Sequence, residues 1–185
     1  MNRAALEHIV RAAAAVADER DIVVIGSQSV LGQFPTAPDA LLVSIEADVY
    51  PRHAPQKSDL IDGAIGELSM FHQAFGYYAH GVDDRTATLP AGWAERLVRL
   101  ENENTAGATG WCLDVHDLAA AKLVAGRDKD LTFLRVLLKE LMVDVPTLQE
   151  RITTLPVPTE RLVGLRDLLE HLVSTVSRPW TYNGS

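Results

Sequence analysis

The chain has 185 residues, 47% hydrophobic and 23% charged, with 17 basic against 25 acidic side chains and a net charge of −8. That length and composition suit one well-packed globular domain with at most a helical appendage, and the acidic balance argues against a general nucleic-acid-binding surface while leaving room for a local basic patch. A single cysteine, Cys112, excludes an internal disulfide and suits a reducing compartment, no apolar run nears the roughly 20 residues of a membrane span, and the N-terminal segment lacks a signal-peptide pattern, so a cytoplasmic protein without membrane association is expected.

Leu6, Ile9, Val10, Ala13 and Val16 recur at helical spacing, which predicts a helix from Arg3 to Glu19 with Asn2 as its N-cap. Ile22-Val23-Val24-Ile25 is β-branched throughout and too short for a helix, so it reads as a buried strand. It stops on a Gly26-Ser27 turn, after which Ser27 to Phe34 reads as a short helix capped by Ser27. Pro35 and Pro38 make a loop. The apolar run from Leu41 then changes character. From Ser44 onward it alternates, with Ser44, Glu46 and Asp48 on one strand face and Ile45, Ala47 and Val49 on the other. Such a strand is commonly a sheet edge with its polar face in water. Two carboxylates two residues apart nevertheless repel each other unless a cation sits between them, and a divalent metal is the obvious one.

Downstream, Ser58 to Leu68 reads as a helix with Leu60, Ile61, Ala64, Ile65 and Leu68 buried, followed by a strand over 76–81. Arg96 to Leu100 and Gly110 to Val115 read as two further strands around a polar loop from Glu101 to Gly107. Asp117 sits where a helix N-cap belongs, ahead of an Ala/Leu run that contains Lys122. A lysine in such a run is ordinarily a snorkelling surface residue, and Asp130 with Arg127 reads equally as a helix-end ion pair. Helices are expected over 131–143, from Pro146, and over 159–176, the last with a Leu162, Leu165, Leu168, Leu169, Leu172 and Val173 face. Arg178 to Tyr182 is a tail. His53, His72, His80 and His116 are scattered singly and suggest no metal site, and Cys112 on an apolar strand reads as buried and inert. The fold class is therefore α/β (α+β), a mixed sheet of about five strands with a C-terminal helical bundle, divided into a core over 1–115 and a helical region over 116–185 that completes the site.

The Gly26-Ser27 turn followed by the Glu46/Asp48 strand resembles the signature of the nucleotidyltransferase superfamily, which has the polymerase-beta-like fold. The second block, Asp-Leu-x-x-x-Lys-Leu-x-Ala-x-Arg-x-Lys-Asp-x-x-x-Leu from Asp117, closely resembles bacterial nucleotidyltransferase-like toxins, the group of the AbiEii abortive-infection toxins and the mycobacterial MenT toxins. The likeness covers roughly residues 20–140. It implies that Gly26 and Ser27 hold the phosphates of a nucleoside triphosphate (NTP) and that Glu46 and Asp48 bind Mg²⁺ or Mn²⁺. It further implies that Lys122 faces the triphosphate, with Asp117 and Asp130 as flanking acids and Asp114 a rival for a third carboxylate. Ser44, on the same strand face and about 7 Å from Glu46, matches a position near which such toxins are silenced by phosphorylation. The implied reaction transfers a nucleoside monophosphate to RNA, plausibly the tRNA 3′ end, and the implied partner is a cognate antitoxin. A small-molecule nucleotidyltransferase, or a non-catalytic binding module on the same fold, stands as the alternative. Arg52, Lys57, Arg96 and Arg99 are the candidates for an RNA-binding patch.

Overall fold

The computed structural model describes residues 1–176, so the expected Arg178–Tyr182 tail lies outside the described residues. Helix α1 (Arg3–Ala17) starts where the Asn2 side chain accepts the Ala5 N–H, and it buries Leu6, Ile9, Val10 and Ala13. It leads into β1 (Asp21–Ile25), whose residues are nearly all buried. The sheet has five strands in the order β3-β2-β1-β5-β4, with β2 at Glu46–Pro51, β3 at Tyr78–Gly81, β4 at Val98–Leu100 and β5 at Thr109–Cys112. The expected mixed sheet is found: β1 runs antiparallel to β2 and parallel to β5, while β2 and β3 are parallel.

Alternation along these strands gives the sheet two unlike faces. Ile22, Val24, Ala47, Val49 and Ala79 join the main core with α1 and with Ile61 and Ile65 of α3 (Ser58–Ile65). Val23, Ile25, Tyr50 and Val82 form a smaller cluster on the other side, against Trp93, Leu97 and Trp111. Four helices follow the sheet: α5 (Val115–Ala125), α6 (Asp128–Lys139), α7 (Val145–Thr153) and α8 (Thr159–Val176). Their Leu118, Leu134, Leu148, Ile152, Leu169 and Leu172 belong to the same continuous core as Leu6, which therefore runs through both the 1–115 and the 116–185 segments. Among the described residues no helix is long and apolar enough to cross a membrane.

Several elements differ from the sequence reading. The Gly26-Ser27 turn opens a single 3₁₀ turn over Ser27–Ser29 and then α2 (Val30–Gln33); Ser27 makes no cap, and it is Ser29 Oγ that donates to the Gly26 carbonyl at 2.8 Å. Strand β2 begins at Glu46, because Asp39–Leu41 forms a 3₁₀ turn and leaves Ser44 outside the ladder. Helix α3 stops at Ile65 and buries only Ser58, Ile61 and Ile65, so Leu60 and Ala64 on its outer side and Leu68 beyond its end are exposed, not buried as expected, and a separate α4 (Met70–Phe75) follows with Ser69 accepting the His72 N–H as its cap. Helix α6 begins three residues early and ends at Lys139, short of the expected 143, so Leu141 lies outside it in a left-handed conformation (φ 53°) and is exposed.

The largest correction concerns Asp117. The cap of α5 is Asp114, whose carboxylate accepts the His116 N–H, and Asp117 lies inside the first turn with its side chain fully buried. It accepts Arg96 Nε and Nη2 at 2.9 Å each and lies 3.4 Å from Arg151 Nε. A carboxylate this deep is held by the cations at its side, and here it fastens α5 to α7 and to the segment before β4. Asp117→Ala would leave two arginines without their carboxylate, Arg96 keeping only the Ala91 carbonyl. The cost is expected at about 3 kcal/mol, the low end for a broken buried pair, because each arginine keeps about a quarter of its side chain in water (24% and 25%). Urea unfolding measures it; a loss under about 1 kcal/mol would mean that the triad does not hold the helices.

Candidate functional site

Strand β2 presents Glu46 and Asp48 on the face away from the main core, half-buried, with Ala47 and Val49 inward. Each acid meets a side chain from β3 at the same register position, since Glu46 pairs with Tyr78 and Asp48 with His80. Tyr78 Oη donates to Glu46 Oε2 at 2.9 Å, and His80 Nδ1 lies 3.1 Å from Asp48 Oδ1. Burial, and then the Glu46 carboxylate, push the Tyr78 phenol up to about 12, so it remains a donor. Glu46, Asp48 and His80 offer one ligand atom each within 4.8 Å of one another. His80 therefore stands with the two acids, contrary to the expectation that the histidines are scattered. Adjacent parallel strands bring it there across 32 residues, a spacing no local pattern signals.

On the other flank, Ile25 of β1 pairs with Asp48, which brings the Gly26 turn against the carboxylate. Gly26 has φ 70° and ψ −168°, a region open in practice to glycine alone. A Cβ built on it would stand 2.2 Å from Asp48 Oδ2. The glycine thus makes room for the acid. The adjoining Gln28 amide is buried with neither its oxygen nor its nitrogen hydrogen-bonded.

Facing the acids across a cleft of about 730 Å³ are Lys122, Arg127, Lys129, Thr132 and Phe133, with Ser27, Leu41, Val43 and Ser44 on its rim. Lys122 is not a snorkelling surface residue. It is buried, donates to Asp130 Oδ1 at 3.0 Å and lies 4.7 Å from the centre of the Phe133 ring. Burial pulls its ammonium below the ordinary value, and Asp130 opposes that shift. Asp130 is fully buried in the first turn of α6; burial would raise its carboxyl, but Arg127, at 2.6 Å, and Lys122 outweigh it and hold it low. Asp130 thus acts through Lys122 and Arg127, positioning both at the cleft. A second cavity of about 390 Å³ adjoins, sharing Gly26, Asp48, Lys122 and Arg127 with the first and lined on its far side by Leu113, Leu118 and Val124.

Burial first, then Glu46, raise the Asp48 carboxyl above its ordinary value, with His80 opposing. Two acids this close with one of them already strained toward neutrality form a donor set that suits a dication, and the oxygen-rich pair fits Mg²⁺ or Mn²⁺.

Other sequence candidates lie elsewhere. Asp117 is occupied by its two arginines, and Asp114 caps α5. Ser44 lines the cleft, but its hydroxyl is tied to Glu46, donating to the backbone carbonyl and accepting the backbone N–H at 3.1 Å each. None of the four expected patch cations stands clear: Arg52 stacks over Trp111, Lys57 pairs with Glu19, Arg96 with Asp117 and Arg99 with Glu101. Cys112 is fully buried, its thiol pushed up to about 12 by desolvation, and is inert as expected.

Residues 4–163 match the model of a family described as nucleotidyltransferase of unknown function (DUF6036). The chain belongs to this nucleotidyltransferase family. The five-stranded mixed sheet with its flanking helices is consistent with the fold of such proteins. No curated protein and no solved structure matches the chain.

Two expectations test the geometry. Gly26→Ala should lose divalent-cation affinity at least ~10-fold and destabilise the fold by about 1–3 kcal/mol, since the new methyl displaces Asp48; calorimetry with Mn²⁺ reads the first, and unchanged affinity would separate the turn from the acids. The second concerns pH. Because folded Asp48 holds its proton more tightly than the unfolded chain does, its contribution to stability is fully present below the ordinary value of 3.8 and is lost as pH rises through the folded value. With chelator present, Asp48→Asn should therefore melt higher than the wild type at pH 7, and the gap should close below that value. A variant that melts lower at pH 7 would contradict the assigned strain.

Proposed function

We propose that this protein is a metal-dependent nucleotidyltransferase that moves a nucleoside monophosphate from an NTP to a hydroxyl acceptor, with an RNA 3′ end, that of tRNA, as the acceptor and toxicity restrained by a cognate antitoxin as the setting. The observation that carries the transfer reading is the single cleft in which Glu46 and Asp48 face Lys122, Arg127 and Lys129. A triphosphate brings about four negative charges, and the two acids alone would repel it.

Mg²⁺ or Mn²⁺ held by Glu46 and Asp48 would supply Lewis-acid charge neutralisation at the phosphates. Lys122, fixed by Asp130, presents a compact ammonium to the same phosphates without having to be ordered on binding. Arg127 and Lys129 add positive charge at the rim. Phe133, Leu41 and Val43 give the cleft apolar wall against which a base can lie. The acceptor hydroxyl attacks the α-phosphorus, the bond to the β-phosphate oxygen breaks, and pyrophosphate leaves. Positioning and charge carry such a reaction, so no protein nucleophile is required.

The RNA acceptor rests on the toxin resemblance. A small-molecule acceptor is the second reading, and a specific observation favours it: Arg52, Lys57, Arg96 and Arg99 are each engaged by a neighbouring side chain instead of forming a basic face. Ser44 is the point of restraint in the toxin reading, because a phosphate there adds about −1.5 to −2 charges and removes the bond its hydroxyl donates to the Glu46 carbonyl.

The test incubates the protein with each α-labelled NTP, Mn²⁺ or Mg²⁺, and either total tRNA or a panel of small hydroxyl-bearing molecules. Label is expected in tRNA; label in the small molecules alone would move the assignment to the second reading. Lys122→Ala and Asp130→Asn should each cut the product at least ~100-fold, with a stability loss in both, since Asp130 is buried and shares its charge with Lys122. Ser44→Asp should be inactive and Ser44→Ala active. Nucleotide binding without transfer to any acceptor would leave a binding module.

A further inference from the structure

Glu46 and Asp48 are not alone at the point where a cation would sit. His80 reaches them from the neighbouring strand, and the three donor atoms lie within 4.8 Å of one another. We propose that His80 completes a three-donor cation site with Glu46 and Asp48, and that this set prefers a first-row transition dication such as Mn²⁺ or Co²⁺ to Mg²⁺. The inference rests on the metal reading given above and deepens it.

Three features support it. First, the placement is built into the sheet. The parallel register of β2 and β3 sets His80 beside Asp48 on the same face, with 3.1 Å between Nδ1 and Oδ1. Donors on one ion bound at about 2.1 Å are separated by at most ~4 Å, so side-chain adjustments of under ~1 Å close the set. Second, the donors are available. Tyr78 engages only Oε2 of Glu46, leaving the other carboxylate oxygen, and the His80 side chain is half exposed (51%), held only by its contact with Asp48. Tyr78 also fixes the rotamer of its acid, as the outer partners of metal ligands do. Third, the chemistry discriminates. Mg²⁺ binds oxygen and keeps its waters, whereas an imidazole nitrogen adds affinity for transition dications along the series from Mn²⁺ to Cu²⁺. In the metal-free state His80 in its Nδ1–H tautomer donates to Asp48; the other tautomer turns a nitrogen lone pair toward the same place.

The plain alternative is that His80 only hydrogen-bonds Asp48, and the experiment separates the two. Mn²⁺ is titrated into the full chain and followed by calorimetry and by pulsed electron paramagnetic resonance, which detects ¹⁴N coupled to the bound ion. Wild type should show imidazole ¹⁴N coupling and bind Mn²⁺ and Co²⁺ at least ~10-fold more tightly than Mg²⁺. His80→Ala should lose the coupling and weaken Mn²⁺ and Co²⁺ by ~10- to 100-fold while changing Mg²⁺ by less than ~3-fold. His80→Asp should remove the coupling and restore or improve Mg²⁺ binding. If Mn²⁺ binds in a manner that Asp48→Asn abolishes, yet shows no ¹⁴N coupling or is untouched by His80→Ala, the inference is overturned and the transfer reading stands. If Asp48→Asn leaves Mn²⁺ binding intact, the metal reading fails and this one fails with it.

Discussion

Two carboxylates, two residues apart on one strand and both half-buried, set the terms for everything around them. Like charges so placed cost free energy in the folded state unless their surroundings answer them. The answer comes from the two neighbouring strands. Strand β1 contributes a turn whose first residue has no side chain, so the Asp48 carboxylate can lie against the backbone. Strand β3 contributes a phenol to one acid and an imidazole to the other. The ladder registers make these contacts obligatory: a slip of one residue between β2 and β3 would turn Tyr78 and His80 away from the acids, and a slip between β2 and β1 would move the Gly26 turn away from Asp48.

The opposite wall of the cleft is held by different means. Asp130 is enclosed, with Arg127 and Lys122 holding its carboxyl below the ordinary value, and it fixes both cations in return. Asp117, five residues before Lys122 on the same helix, fixes the helix itself through Arg96 and Arg151. Two buried acids of similar appearance thus do unlike things. One aims a cation at the cleft; the other aligns the helix that carries that cation. Both are costly to bury, and both bring definite orientation to a cleft that lies between sheet and helices.

The parts of the molecule written in local pattern could be read from the chain. The β-branched Ile22–Ile25 run, the alternation through Glu46 and Asp48, and the leucine face of α8 each announce their element and their buried side. Interactions between segments distant in sequence could not be read. His80 reaches Asp48 by strand pairing, and Asp117 lost its apparent capping role because Asp114 stood three residues earlier and took it. The Ala/Leu run by itself reads Lys122 as a surface lysine, and only the resemblance placed it at the site, because the run does not reveal that Asp130, in the first turn of the next helix, will pair with it. Helix α4 was hidden by its brevity, six residues closed by Ser69 and Gly76. For His80 and Lys122 the missing information was a partner, and partners are a property of topology.

Strand β3 is the outermost strand of the sheet and only four residues long. Of the residues that touch the two acids from this side, Tyr78 is buried and His80 is exposed, so position 80 is the one where substitution disturbs least: His80 contributes nothing to the main core, in which its neighbour Ala79 packs. In evolutionary terms the chain separates inheritance of the fold from choice of chemistry. The acids and the glycine lie on inner strands whose change would be felt throughout the sheet, while position 80 can drift among oxygen, nitrogen and inert side chains without loss of the scaffold. The chemistry offered at that edge of the cleft is thus open to change while the sheet stays the same.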